Sequence, residues 1–185
     1  MKVKVAISNR HIHLTEEAYN MLFTKKITKK KDIGQKGEFA ANETLTIEWG
    51  DKKIENVRIV GPFRKYNQIE ISTKDARLLG VKPPVRKSGD LKDAVDLIVT
   101  SDEGSYNLKS CCIIANRHIH MNQAMADALK VKNDQEVRVK VDGPKGGEIK
   151  AFIKITDNGV LEFHIDTDDA NSLMLNNGDE VELEI

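Results

Sequence analysis

The sequence is poor in cysteine, and its only two cysteines, Cys111 and Cys112, are neighbours. Adjacent cysteines cannot build the framework of bridges that staples small secreted domains, so we expect a reducing intracellular compartment. No apolar run approaches the roughly 18 residues of a membrane span. The first ten residues, MKVKVAISNR, have neither the long apolar region nor the cleavage site of a secretory signal peptide. We therefore predict a cytoplasmic protein that does not associate with membranes.

The sequence also has no excess of charge of either sign. Lys and Arg total 29, Asp and Glu total 29, and the formal net charge is zero. Proteins that bind nucleic acid usually carry a strongly basic surface, so this balance argues against such a partner. A lysine-rich segment, KKITKKK at 25–31, is a local exception. It fits either a solvated loop or a landing site for a phosphorylated ligand, and both interpretations stay open.

Histidine is scarce as well, but its distribution is informative. Four of the five histidines lie in a word, NRHIH, that occurs at residues 9–13 and again at 116–120. Downstream of the two words, EISTKDAR (70–77) aligns with HIDTDDAN (164–171), which places Glu70 at the position of His164. Each half of the chain thus supplies an H-x-H pair followed by one further metal-competent side chain, and the chain has an internal repeat.

Between these landmarks the sequence predicts a mainly β protein with short helices. Alternating apolar residues and glycine-containing turns indicate strands at 44–49, 53–60, 96–101, 136–141, 148–155 and 180–185. Many short strands with few helices favour barrels or sandwiches. We predict two small β-barrel domains related by the repeat, 1–92 and 93–185, with exchange of a terminal strand left open. The segment 82–93 is the best candidate for their connection.

The repeated H-x-H pairs predict two metal sites. Side chains alternate faces along a strand, so the two histidines of a pair point the same way. A third ligand completes the three-ligand arrangement typical of catalytic zinc. Imidazole with carboxylate suits Zn, Fe, Ni or Co better than Mg or Ca. The predicted ligand sets are His11, His13 and Glu70, and His118, His120 and His164, with the metal site placed between the domains.

The two predicted sets differ in formal charge. The first contains one carboxylate, whereas the second contains only imidazoles. On electrostatics alone, the set that includes Glu70 is expected to hold a dication more tightly.

The adjacent cysteines lie in CCIIA, which is typical of a buried strand start rather than of a nucleophile or thiolate ligand.

Two other folds carry an H-x-H pair. A (β/α)8 hydrolase needs some 250 residues and alternating helices, and this chain has neither. A cupin is a double-sheet barrel with the pair followed by a glutamate, for which Glu16 or Glu17 could serve. The glycine that usually precedes a cupin's pair is absent here. A cupin is therefore the structural alternative.

A series of words along the chain resembles one family. SNRHIHLT, GQKGEFAANETLTI, VRIVGPFRKYNQIEIS, PVRKSGD, ANRHIHMN and EFHIDTDDAN occur in the order found in the phosphate propanoyltransferases, the Pdu-type phosphotransacylases. The resemblance covers essentially the whole chain. It implies two β-barrel domains, two bound divalent metals taken as zinc, and reversible transfer of an acyl group between coenzyme A and inorganic phosphate.

The resemblance also implies roles for individual residues. The two predicted triads match the ligands of the family's two metals, and Arg64 matches its phosphate-binding arginine. Ser8, Arg58 and Asn171 fall at positions that resemble coenzyme A contacts. We place Arg64 on the strand that carries Glu70, with both side chains on one face. No Ser-His-Asp pattern is visible, so we favour direct attack of phosphate on acetyl- or propanoyl-CoA.

Two other functions fit the same residues. One is a dinuclear metallohydrolase of the thioesterase kind, and the other is a non-catalytic module braced by zinc. A homodimer is the expected assembly. Some members of the family carry an N-terminal extension that targets a bacterial microcompartment. No such extension is seen here, which argues against encapsulation and leaves acetate rather than propionate metabolism open.

Overall fold

The computed structural model describes all residues, Met1–Ile185, as fourteen strands and four short helices. The strands of the first part of the chain are β1 Lys2–Ser8, β2 His11–His13, β3 Lys29–Asp32, β4 Phe39–Trp49, β5 Lys52–Gly61, β6 Gln68–Glu70, β7 Val85–Arg86 and β8 Val95–Thr100. Those of the second part are β9 Ser105–Ala115, β10 His118–Met121, β11 Glu136–Val141, β12 Gly147–Ile155, β13 Glu162–Asp166 and β14 Glu180–Glu184. The helices are α1 Glu16–Asn20, α2 Thr73–Leu79, α3 Gln123–Leu129 and α4 Thr167–Leu173. The predicted mainly β fold with short helices is confirmed.

The strands form two closed barrels of six strands each, in two compact units. The unit with the first NRHIH word, here the first barrel, comprises Asn9–Ile33 and Gly37–Ala115. Its ring runs β4, β5, β2, β6, β9, β8 and back to β4, and β3 and β7 extend its sheet. The second barrel comprises Met1–Ser8, Gly34–Lys36 and Asn116–Ile185, with the ring β1, β13, β10, β12, β11, β14.

Pairing in the two rings follows one pattern. The strand that carries the histidines runs parallel to one neighbour, β5 or β12, and antiparallel to the other, β6 or β13. His11 lies opposite Glu70 in the first barrel, and His118 lies opposite His164 in the second. The structure therefore reproduces, at the level of single residues, the repeat predicted from the sequence.

The strand before each NRHIH word belongs to the other repeat's barrel. β1 precedes the first word but pairs with β13 and β14 in the second barrel. Its counterpart β9 precedes the second word but pairs with β6 and β8 in the first. The compact units consequently differ from the predicted division at residues 92 and 93. The first barrel extends to Ala115 because β8 and β9 are needed to close it.

Each barrel has its own apolar core, and the cores explain the orientation of the histidines. Ile12 and Ile119, the middle residues of the two H-x-H sequences, have no exposed surface and lie in the two cores. Ile69 and Phe163, on the neighbouring strands, are equally buried. Because side chains alternate along a strand, the residues that flank these four point away from the cores.

Defined caps begin and end α2 and α4. The side chains of Ser72 and Asp166 cap the N-termini of α2 and α4, and Gly80 ends α2 in the left-handed conformation. α4 ends at Leu173, and Met174 takes the left-handed conformation. Part of the lysine-rich segment forms the exposed strand β3 rather than a loop. None of the four helices combines the length and the apolar character needed to cross a membrane.

Candidate metal centre

The first triad gathers at the antiparallel pair formed by β2 and β6. The ligand atoms of His11, His13 and Glu70 all lie within 4.8 Å of one another, and His11 Nε2 is 3.6 Å from Glu70 Oε2. The two imidazole rings meet edge to face with centroids 4.9 Å apart. His13 and Glu70 are buried, 2% and 9% exposed, and both form hydrogen bonds within the protein, with the Val60 carbonyl and with Gln68.

The second triad has the same construction on β10 and β13. The ligand atoms of His118, His120 and His164 again lie within 4.8 Å of one another. The ring centroids are 4.9 Å apart for the H-x-H pair, and 5.1 Å and 4.6 Å from His164 to His118 and His120. Both sets predicted from the repeat are therefore brought together, and each set lies within one barrel.

Hydrogen bonds to backbone carbonyls prepare three of the histidines as ligands. Nδ1 of His11 lies 2.8 Å from the carbonyl oxygen of Asn9, Nδ1 of His118 lies 2.9 Å from that of Asn116, and Nδ1 of His13 lies 3.1 Å from that of Val60. A carbonyl oxygen only accepts, so in the neutral ring the proton lies on Nδ1, and Nε2 is the nitrogen that could coordinate a metal.

The donor sets fit a divalent transition metal. Tetrahedral zinc with bonds of about 2.0–2.1 Å holds its ligand atoms roughly 3.4 Å apart, close to the separation of His11 Nε2 and Glu70 Oε2. Three ligands leave a coordination position open for substrate, as in catalytic rather than structural zinc sites.

The arginine of each NRHIH word forms an ion pair that the sequence analysis missed. Arg10 donates to Asp75 at 2.6 Å, and Arg117 donates to both carboxylate oxygens of Asp169 at 2.8 and 2.6 Å. The two aspartates occupy matching positions in the first turns of α2 and α4. Their signal was present in the sequence, because the arginine and the aspartate recur at the same places in both repeats.

Gln68 was also missed, although it contacts a predicted ligand directly. It is fully buried and donates from Nε2 to Glu70 Oε1 at 2.6 Å and to Ser88 Oγ at 2.9 Å. Its Oε1 accepts from the backbone N–H of Gly89 at 2.7 Å. One Glu70 oxygen is thus held by the amide while the other faces His11, which fixes the orientation of the carboxylate.

Glu162 and Gln35 stand beside the third ligand of the second triad. Glu162 Oε2 lies 3.2 Å from His164 Nε2, and Gln35 Nε2 donates to the same carboxylate oxygen at 2.9 Å. The hydrogen bond with His164 and, to a smaller extent, the one from Gln35 lower the pKa of Glu162 against the effect of burial. The sequence analysis named neither residue.

Arg64 lies near the first triad, but not on the strand where it was predicted. β6 begins only at Gln68, and Arg64 belongs to the connection that follows the cis Gly61–Pro62 peptide. The prediction of a shared strand face with Glu70 is therefore wrong, because the backbone between them is not a regular strand. The chain is held there by a hydrogen bond from the Arg64 N–H to the Leu14 carbonyl at 2.8 Å.

Side-chain contacts nevertheless connect Arg64 to the first triad. Its guanidinium donates to Ser88 Oγ at 3.2 Å. The same Ser88 Oγ also accepts a hydrogen bond from Gln68. The guanidinium also forms an ion pair with Glu38 at 2.8 Å, and its side chain is 20% exposed. Two hydrogen-bonded residues, Ser88 and Gln68, therefore join the arginine to the carboxylate of Glu70.

The residues expected to contact coenzyme A fall on both barrels. Ser8 ends β1 opposite Asp166, and Asn171 is exposed on α4, both in the second barrel. Arg58 lies on β5 of the first barrel opposite His11, and its guanidinium donates to the carbonyl oxygens of Ala41 and Asn42 at 3.1 and 2.7 Å. Their role in binding stays a prediction.

The cysteines do not take part in either triad. Cys111 and Cys112 have no exposed surface and lie within the second half of β9 rather than at a strand start. Burial raises the pKa of Cys111 to about 12 and that of Cys112 well above its usual value. Both therefore stay protonated at neutral pH and serve as core residues.

Comparison with known proteins agrees with this architecture. The family model for phosphate propanoyltransferase matches residues 4–176. Proteins named phosphate propanoyltransferase from Thermotoga maritima and Lachnoclostridium phytofermentans are 43% and 44% identical over 95% of this chain and 85% and 84% of their own lengths. One from Salmonella typhimurium is 39% identical over 92% of this chain and 82% of its own. The chain therefore belongs to the phosphate propanoyltransferase family.

Proposed function

We propose that this enzyme transfers the acyl group of acetyl- or propanoyl-CoA to inorganic phosphate, and the reverse, with help from two bound metal ions. Membership of the family supports an acyltransferase acting on acyl-CoA. The observation that supports the metal-assisted form is the chain of hydrogen bonds from the predicted ligand Glu70, through Gln68 and Ser88, to Arg64. A metal-competent triad beside a partly exposed guanidinium suits a reaction between a carbonyl and an anion.

The triads would hold the metals through His11, His13 and Glu70 in one barrel and through His118, His120 and His164 in the other. A divalent transition metal at such a site supplies Lewis acidity that polarises the thioester carbonyl. The protein's own contribution is orientation, since backbone carbonyls hold the imidazoles and Gln68 holds Glu70. Rigid ligands are what allow a site to favour the transition state over the substrate.

Arg64 is assigned to the attacking phosphate. A guanidinium offers a planar fork of donors that matches two phosphate oxygens. Ser88 and Glu38 accept hydrogen bonds from this fork. Phosphate bound there would either displace the Glu38 carboxylate from the Arg64 guanidinium or accept hydrogen bonds from the guanidinium N–H groups that Glu38 and Ser88 do not use.

The reaction then proceeds by direct displacement. A phosphate oxygen forms a bond to the thioester carbon, the C–S bond breaks, and the remaining proton of hydrogen phosphate ends on the sulfur of coenzyme A. The buried, protonated cysteines offer no nucleophile for an acyl-enzyme. Ser8, Arg58 and Asn171 are assigned to binding coenzyme A.

The decisive measurement is release of free coenzyme A from acetyl- and propanoyl-CoA, with and without phosphate. We expect release that depends on phosphate and yields acyl phosphate. Equal release without phosphate would indicate a metallohydrolase instead. No release by metal-loaded protein would indicate a module in which the metal only stabilises the fold.

Metal content gives a second test. Two three-ligand triads predict about two transition-metal ions per chain, because each set can hold one ion. Elemental analysis of protein purified without chelators, and again after reconstitution with zinc, would measure this ratio. A ratio of one or less after reconstitution would contradict the assignment of both triads.

Three further assignments rest on the sequence alone. We propose that the protein acts in the cytoplasm, as a homodimer, with zinc as the native metal. Encapsulation in a microcompartment and the choice between propanediol and acetate metabolism stay open. Gel filtration coupled to light scattering would test the dimer directly.

A further inference from the structure

We infer that Glu162 is part of the second metal site and supplies the negative charge that its three histidines lack. The inference rests on the proposed metal centres and adds a residue to one of them. Glu162 lies on β13, two residues before His164. Both side chains lie on the strand face opposite the buried Phe163, and Glu162 lies directly across from His120.

The repeat gives this position a counterpart in the first barrel. Gln68 lies two residues before Glu70, as Glu162 lies two residues before His164. Each side chain contacts the side chain two residues later in the sequence. Gln68 Nε2 lies 2.6 Å from Glu70 Oε1, and Glu162 Oε2 lies 3.2 Å from His164 Nε2. In the first barrel an amide, Gln68, precedes a carboxylate, Glu70. In the second barrel a carboxylate, Glu162, precedes an imidazole, His164. Each site therefore contains one carboxylate at these two positions.

The local structure holds the Glu162 carboxylate in place. Gln35 donates from Nε2 to Oε2 at 2.9 Å, and its own carbonyl oxygen accepts from the Val160 N–H at 3.1 Å. Gly34 leaves room for the carboxylate, because a Cβ at that position would lie 2.7 Å from Oε2. The Glu162 carboxylate is therefore held next to His164 Nε2. In this position its negative charge would attract a cation bound to that nitrogen.

The consequence concerns relative affinity. Counting ligands alone gives the first site one negative charge and the second none, and predicts tighter binding at the first. Counting Gln68 and Glu162 as well gives each site one negative charge. The two sites should then bind a divalent cation with comparable affinity, since the Coulomb term that separated them is gone.

The test is a zinc titration against a chromophoric chelator, which measures the affinity of each site. Glu162→Gln removes the charge and keeps the shape. We expect about a 10- to 100-fold loss of affinity at one site, the range typical of groups that support metal ligands, and no change at the other. Glu182→Gln, an exposed glutamate on β14, is the matched control and should leave both affinities unchanged.

A second variant keeps the glutamate and moves it. The methyl group of Gly34→Ala would displace the carboxylate, so this variant should weaken the same site even if Glu162→Gln folds poorly. Two tight sites in wild type with unchanged affinities in both variants would overturn the inference. Wild-type protein that binds no zinc would instead overturn the proposed metal centres themselves.

Discussion

Replacing Arg64 with alanine is expected to lower phosphate-dependent turnover by about two powers of ten or more, with unchanged metal content. This is the scale seen when one donor to a developing negative charge is removed. Arg64→Lys should lose nearly as much, because lysine keeps the charge but lacks the planar fork. Steady-state kinetics at varied phosphate, together with elemental analysis, would measure both effects.

Arg77 provides the matched control for Arg64. It is exposed on α2 in the same barrel, so Arg77→Ala removes the same charge without touching the proposed phosphate site. Near-normal turnover of Arg64→Ala at ordinary phosphate concentrations would exclude Arg64 from phosphate binding. Loss of metal together with activity would reassign the residue to support of Glu70 through Ser88 and Gln68.

The Arg10→Ala variant is expected to lose about 3 kcal/mol of stability, because it leaves a buried carboxylate without its partner. Asp75 is 3% exposed and accepts from Arg10 at 2.6 Å. The equivalent change at Arg117 should cost less, since the side chain of Asp169 is 19% exposed and water can compensate. Chemical denaturation followed by circular dichroism would give the loss in each variant.

A double variant separates the ion pair from other effects at this position. In Arg10→Ala/Asp75→Ala no unpaired charge is left in the interior, so part of the stability should return. A loss below about 1 kcal/mol in Arg10→Ala would show that the pair behaves as an ordinary surface ion pair. The stability contributed by the ion pair would then not explain why both NRHIH words contain an arginine.

Much of the site was predictable because it depends on local periodicity. The alternation of His11, Ile12 and His13 fixes which side chains face the core, and the same holds for His118, Ile119 and His120. The third residue of each triad could be found because EISTKDAR aligns with HIDTDDAN and places Glu70 at the position of His164. Short-range patterns of this kind survive folding because the strands that carry the triads, β2 with β6 and β10 with β13, pair without register shifts.

What failed depended on contacts between distant parts of the chain. The connection that carries Arg64 is not a strand, and its path is set by a hydrogen bond to Leu14 far away in the sequence. The division near residue 92 was placed at a proline-rich segment, whereas strand pairing extends the first barrel to Ala115. Gln68 and Glu162 carry no special signal singly, and their contacts with Glu70 and His164 become visible only in the structure.

The exchanged first strands impose an order on folding during synthesis. All six strands of the first barrel have been made once Ala115 leaves the ribosome, so that barrel can close on the growing chain. β1 is made before every strand of the first barrel, yet its partners β13 and β14 are made after all of them. β1 must therefore wait, unpaired, until β13 and β14 have been made. Its alternating lysines, Lys2 and Lys4, are the kind of charge that keeps a waiting strand from pairing with another chain.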